Sequence, residues 1–322
     1  MYRSTVAVLA DNFGLLVGSV VAFAGLWGFL LRYAPVETMS IGVMAWWSAL
    51  CVVSVLNICG WRLSAGALAR RKAAAEPAVY LFQRRQLILS AVYVFGCAFR
   101  SVLPRADVQR IALFDSWVSS VIVGRSVATV AELCFMAQCA LLLHHIAKDA
   151  RARFWVGLSW FLVPLIVMAE VCSWYGVLTT SYLGNAVEES IWALSALLVI
   201  VGFLTLWFRC GAAYRPFLAA GAVVGIAYVT FMCAVDVPMY VSRWLADEAM
   251  GREYLSLGQG LWDVRSRWTV TFAWEEWRRE IPWMSLYFSV GVWWSIALVH
   301  APRFEPKPQF ELSAMSPRVK SL

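Results

Sequence analysis

The sequence predicts an all-α fold: a polytopic transmembrane helix bundle of about eight spans, with both termini cytoplasmic. Three observations lead there. The 322 residues are 61% apolar and only 15% charged, whereas soluble domains carry about 25% charged residues. The apolar residues fall in long blocks, several of which reach the roughly 20 residues a helix needs to cross the hydrocarbon core. A helix also satisfies its own backbone N–H and C=O groups, which lipid cannot do.

The expected spans follow in order. Residues 13–32 come after Asp11 and Asn12 and are as long as a span, so they read as a retained helix rather than a cleaved signal. Residues 41–61 end at the basic run Arg62, Arg70, Arg71 and Lys72, and 86–104 begin after Arg84 and Arg85. Residues 116–146 exceed a perpendicular crossing and should tilt or extend past the bilayer. Residues 154–177 contain Pro164, and 187–208 open on Glu188 and Glu189. Residues 216–240 carry Gly221 and Gly225, a close-packing GxxxG face, and Pro238, which should loosen the helix. Residues 282–300 start at Pro282. Together 1–304 form one transmembrane domain. The polar, proline-containing segment 305–322 is expected to be a flexible cytoplasmic tail.

Basic residues orient the chain. Sixteen of the 27 fall with Arg3, the connections after 41–61, 116–146 and 187–208, and the tail; nine fall on the opposite side. All four lysines are in the larger group. By the positive-inside tendency that side is cytoplasmic. The opposite side holds a long loop, 243–281, with seven acidic and six basic residues and Trp244, Trp262, Trp268, Trp274 and Trp277. Tryptophan favours the membrane interface, so the loop reads as an interfacial anchor or a lid. Within it, 274–280 is expected to form a short helix.

Charge inside the spans carries the functional signal, because each such residue costs about 2.5–3.5 kcal/mol on insertion scales and faces a bundle interior or water. The candidate binding residues are Arg100, Arg125, Glu132, Glu170, Glu189 and Asp236. All but Glu132 fall in the expected outer half. Arg125 and Glu132 are two helical turns apart on one face. These groups can pair and lock the bundle, or line a pocket open to the outer side. Arginine forks would take a carboxylate or phosphate, and the carboxylates a cation, a proton or an amine.

Several chemistries lack support. His144 and His145 are adjacent and diverge by roughly 100° on a helix, and His300 stands alone. No lysine lies inside a span, and no phosphate-binding glycine loop or CxxC pair occurs. No cofactor, metal or nucleic acid is expected; a carboxylate-only site for a hard cation is the lesser reading. Membrane lipids are the expected partners. The leading expectation is binding or transport of a small polar or zwitterionic solute or a lipid head group. The alternatives are a membrane-embedded enzyme acting on a lipid at the outer leaflet, and a non-catalytic subunit of a membrane complex.

Overall fold

The computed structural model describes residues 40–73, 76–209 and 214–301. The expected span 13–32 and the tail 305–322 lie outside the described residues. Among the described residues, six helices are long and apolar enough to cross a membrane: α1 (Ile41–Arg71), α3 (Val121–Asp149), α4 (Arg153–Thr179), α5 (Tyr182–Trp207), α6 (Arg215–Ala249) and α9 (Ile281–Val299). The expected span 86–104 lies in α2 (Pro77–Val102), 26 residues long. Its Arg84, Arg85 and Arg100 make it less apolar than those six. Pro77 suits the first turn of α2, where its missing N–H would have no partner in any case.

The long block 116–146 is divided. A short 3-10 turn, Trp117–Ser119, and an extended Ser120 precede α3, so the helix begins at Val121. Conversely, α6 continues to Ala249, past the expected end at 240. Its second half is polar on one face, and polar residues continue a helix as readily as apolar ones.

Two of the crossing helices contain a wide π turn, at Met232–Asp236 in α6 and Tyr287–Gly291 in α9. The first has a local cause. Pro238 has no N–H to offer the carbonyl of Ala234, and its ring crowds that carbonyl. At the second, Asn57 of α1 donates to the Phe288 carbonyl at 2.8 Å.

One end of the bundle is basic, with Arg70, Arg71 and Lys148 in the last turns of α1 and α3. The other end is capped. β1 (Arg105–Ala106) pairs antiparallel with β2 (Ile111–Ala112), and β2 pairs parallel with β3 (Thr269–Val270). A helix α7 (Leu257–Ser266), held by a Ser256–Gln259 capping box, and a short helix α8 (Trp274–Trp277) complete the cap. Arg110, at φ 58°, turns the chain between β1 and β2. It donates to Asp263 of α7 at 2.6 Å and to the Val177 carbonyl of α4 at 2.7 Å. The region expected as a Trp-rich loop is therefore largely folded. Trp277 is fully buried there, donating to the Thr271 carbonyl, whereas Trp262 and Trp274 are exposed.

Apolar packing forms two main cores. One joins α3, α4 and α5 through Leu142, Leu143, Leu162, Ile166 and Phe203. The other joins α1, α2, α9 and the cap through Trp47, Tyr93, Phe272, Trp277 and Phe288. α4 and α5 cross closely at Gly176 and Gly184: a Cβ on Gly184 would lie 2.5 Å from the Cys172 carbonyl oxygen. α6 packs mainly on α5, with Gly221 against Phe203 and Gly225 against Ile200. α9 packs on α1, α2 and α3. The seam between α6 and α9 is held at its basic end by stacked Phe217 and Trp294, with ring centroids 5.4 Å apart. At its capped end the Arg243–Glu280 ion pair holds it, at 2.9 Å. Val171, Val223, Ile226 and Trp293 are exposed on the flanks of the bundle, an apolar exterior that suits lipid solvation.

Candidate functional site

Helical spacing assembles the site. Arg125, Thr129 and Glu132 form one stripe of α3, turned toward α4 and α5. Arg125 Nη2 lies 2.7 Å from Glu188 of α5, 2.8 Å from Glu170 of α4 and 3.4 Å from Glu132. All four side chains are at most 7% exposed, so the pairs are drawn from a water-poor interior where unpaired charge is costly. The Thr129 hydroxyl donates to Glu170 at 2.6 Å, and the Trp174 indole donates to Thr129 at 3.0 Å. Asn185 donates to Glu188 at 3.2 Å, and Tyr287, in the π turn of α9, donates to Glu132 at 3.1 Å.

Glu132, Glu170 and Glu188 each bring an oxygen within 4.8 Å of the others. Arg125 Nη2 contacts all three, so the guanidinium supplies there the positive charge that three converging carboxylates require. Arg100 of α2 approaches Glu132 at 3.7 Å and lies against the rings of Trp283, Tyr287 and Phe288, 5.7 Å from each centroid. From the cap, Arg105 donates to Asp107 and to the Ser120 carbonyl, at 2.7 and 2.9 Å. Gly124 makes room for it: a Cβ there would sit 1.6 Å from the guanidinium. Burial alone would push the Asp107 carboxyl up, but Arg105, Arg100 and Arg125 outweigh it and hold the carboxyl below its usual range.

These side chains border a cavity of about 470 Å³, within the range of small-molecule sites. Its capped end is lined by Arg100, Arg105, Asp107, Arg125, Glu132, Glu188, Glu189 and Asp236. The remainder is apolar, an arm lined by Met136, Cys139, Trp192, Ile200, Phe203 and Val224 among others. Glu188 and Phe203 both line it and stand fifteen residues apart on α5, so the cavity runs for about 22 Å along that helix.

A second pocket of about 560 Å³ lies at the capped end, bordered by Tyr182, Arg243, Asp247, Glu275 and Arg279. Gln109 lines both spaces. Between them stands Glu280, which accepts from Gln109 at 2.7 Å, Arg243 at 2.9 Å and Trp283 at 2.7 Å.

Of the six residues singled out from the sequence, Arg100, Arg125, Glu132, Glu189 and Asp236 line the cavity. Glu170 is buried behind Arg125 as its counter-ion. Glu189 and Asp236 face the cavity without joining the Arg125 cluster. Sequence reasoning passed over Glu188, Arg105, Asp107, Tyr287 and Glu280. Glu188 and Glu189 are adjacent and diverge by roughly 100°, and nothing in the spacing says which one faces Arg125. Arg105, Asp107 and Glu280 lie in cap segments without periodicity.

Comparison of the chain with protein-family models, curated proteins and solved structures returns no match.

Proposed function

We propose that the protein is a multi-pass membrane protein that binds a single-chain amphiphile. The polar head sits among the charges at the capped end, and the hydrocarbon tail lies along the apolar arm between α5, α6 and α9. In this reading the capped end faces the non-cytoplasmic side, as the basic residues at the opposite end suggest, and both termini are cytoplasmic.

The observation that carries the reading is the division of one cavity, about 22 Å long, into a charged end and an apolar arm. A small zwitterion would fill the charged end and leave the arm empty. Burying a hydrocarbon chain in that arm is favourable by about 0.8 kcal/mol per CH₂, which supplies affinity that a head group alone lacks. The seam between α6 and α9 gives such a molecule a route from the bilayer. The vestibule beyond Glu280 gives its head a route toward water.

Ala196 lines the arm away from every charge. Ala196→Trp should fill the arm and leave the ion pairs intact. The test is native mass spectrometry of protein released from membranes by a mild detergent. Wild type should carry a lipid-like mass that Ala196→Trp lacks. Equal retention by both, or none in wild type, would sink the reading and leave the cluster as an internal lock, as expected of a non-catalytic subunit.

A further inference from the structure

We propose that the head of the bound amphiphile is a cation, a protonated or quaternary amine, held by Glu189 and Asp236. This rests on the amphiphile reading above and names its ligand class. Among the described residues, three arginines and six carboxylates line the cavity. Each arginine has a carboxylate within 3.7 Å: Arg105 has Asp107, Arg125 has Glu188 and Glu132, and Arg100 has Glu132, although Arg105 Nη2 and Arg125 Nε have no hydrogen-bond partner among the described residues. Glu280 is taken by Arg243 from the vestibule side. Glu189 and Asp236 remain. Among the described residues neither accepts a hydrogen bond nor forms an ion pair.

Asp236 is 4% exposed, so bulk water does not solvate it, yet it lines the cavity. It belongs to the π turn of α6, and such turns often mark functional positions. Glu189 of α5 lines the same cavity. Two carboxylates without a hydrogen-bond or ion-pair partner are costly in a low-dielectric interior, and a cation bound beside them offsets that cost. Tyr228 and Tyr240 also line the cavity, within electrostatic range of both carboxylates. Aromatic rings suit an ammonium group, above all a quaternary one. An anionic head would add to the excess of negative charge that these carboxylates give the cavity.

The test uses the full chain in nanodiscs of zwitterionic lipid. Three probes share one chain and differ in head: hexadecyltrimethylammonium, hexadecyl phosphate and hexadecanol. Binding is read by native mass spectrometry in competition. The ammonium probe should be held over the phosphate probe by roughly tenfold or more. In Glu189→Gln/Asp236→Asn that preference should collapse, with hexadecanol retained as in wild type. These substitutions keep shape and remove repulsion, so thermal stability should not fall. Equal retention of all three probes by wild type, as two protonated carboxyls would give, overturns the cationic head and leaves the amphiphile reading standing. Preference for the phosphate probe overturns it as well. Failure of every probe to bind wild type, or binding unaffected by Ala196→Trp, overturns the amphiphile reading and this inference with it.

Discussion

Arg125 holds three helices together, and removing it should be among the most damaging single changes in the chain. Its Nη2 serves Glu188 and Glu170 at hydrogen-bond distance and Glu132 at 3.4 Å, and its Nε has no hydrogen-bond partner among the described residues. Arg125→Ala leaves three buried carboxylates converging on an empty point. Breaking a buried pair in this way typically costs about 3–5 kcal/mol, most of it the charge left behind. Because every contact runs through one nitrogen, a lysine ammonium can stand in for it. Arg125→Lys should therefore recover about half of that loss, although it loses the rest of the fork. The assay is unfolding in mixed micelles titrated with dodecyl sulfate and followed by helicity. In a double-mutant cycle, adding Glu188→Gln to Arg125→Ala should cost less than the sum of the single changes, with a coupling of about 0.5–3 kcal/mol. A loss within about 1 kcal/mol of wild type for Arg125→Ala, the range of an exposed pair, would refute a buried structural role for this cluster.

Other outcomes follow from the same geometry. Gly184→Ala should push α5 from α4, since its Cβ would meet the Cys172 carbonyl at 2.5 Å; overpacking of this kind costs about 1–3 kcal/mol, and the shift should also weaken amphiphile retention by moving Glu188. The cap should loosen in acid. Burial raises the Asp263 carboxyl, but hydrogen bonds from Arg267 and Arg110 outweigh it and hold it below its usual range, and Asp107 is held down likewise. Stability from a depressed carboxylate is fully present above the unfolded value, about 3.9, and is lost as pH falls through the folded one. Hydrogen-exchange protection factors in 105–112 and 257–270, taken against the intrinsic amide rates at each pH, should thus change little down to about pH 5 and fall below about pH 4; a fall already between pH 7 and 5 would assign the cap to other groups.

The bundle was legible because apolar runs of span length have few other uses. The runs 41–61, 154–177 and 187–208 fall inside or within a few residues of α1, α4 and α5. The charges were legible because each violates the apolar background, and five of the six chosen line one cavity. The cap was hidden, since strands of two residues, such as Arg105–Ala106, show no alternation. The fate of Trp277 was hidden too: its neighbours Glu275, Glu276 and Arg278 suggest an interface, whereas packing from Trp46 and the Thr271 carbonyl encloses the ring. The apolar arm could not be read at all. Ile200 faces the cavity and Val201 is exposed on the flank, yet both are plain β-branched residues of one helix. Hydrophobicity does not distinguish a surface solvated by lipid from one that encloses a lipid-like ligand.

The most direct test of the account is a photoaffinity map with one amphiphile carrying a diazirine at either end. The tail-end probe should label Ile200, Phe203 and Val224 in the arm, and the head-end probe the region of Glu188, Glu189 and Asp236. Labelling confined to exposed flank residues such as Val201 and Leu204, with both probes alike, would contradict it.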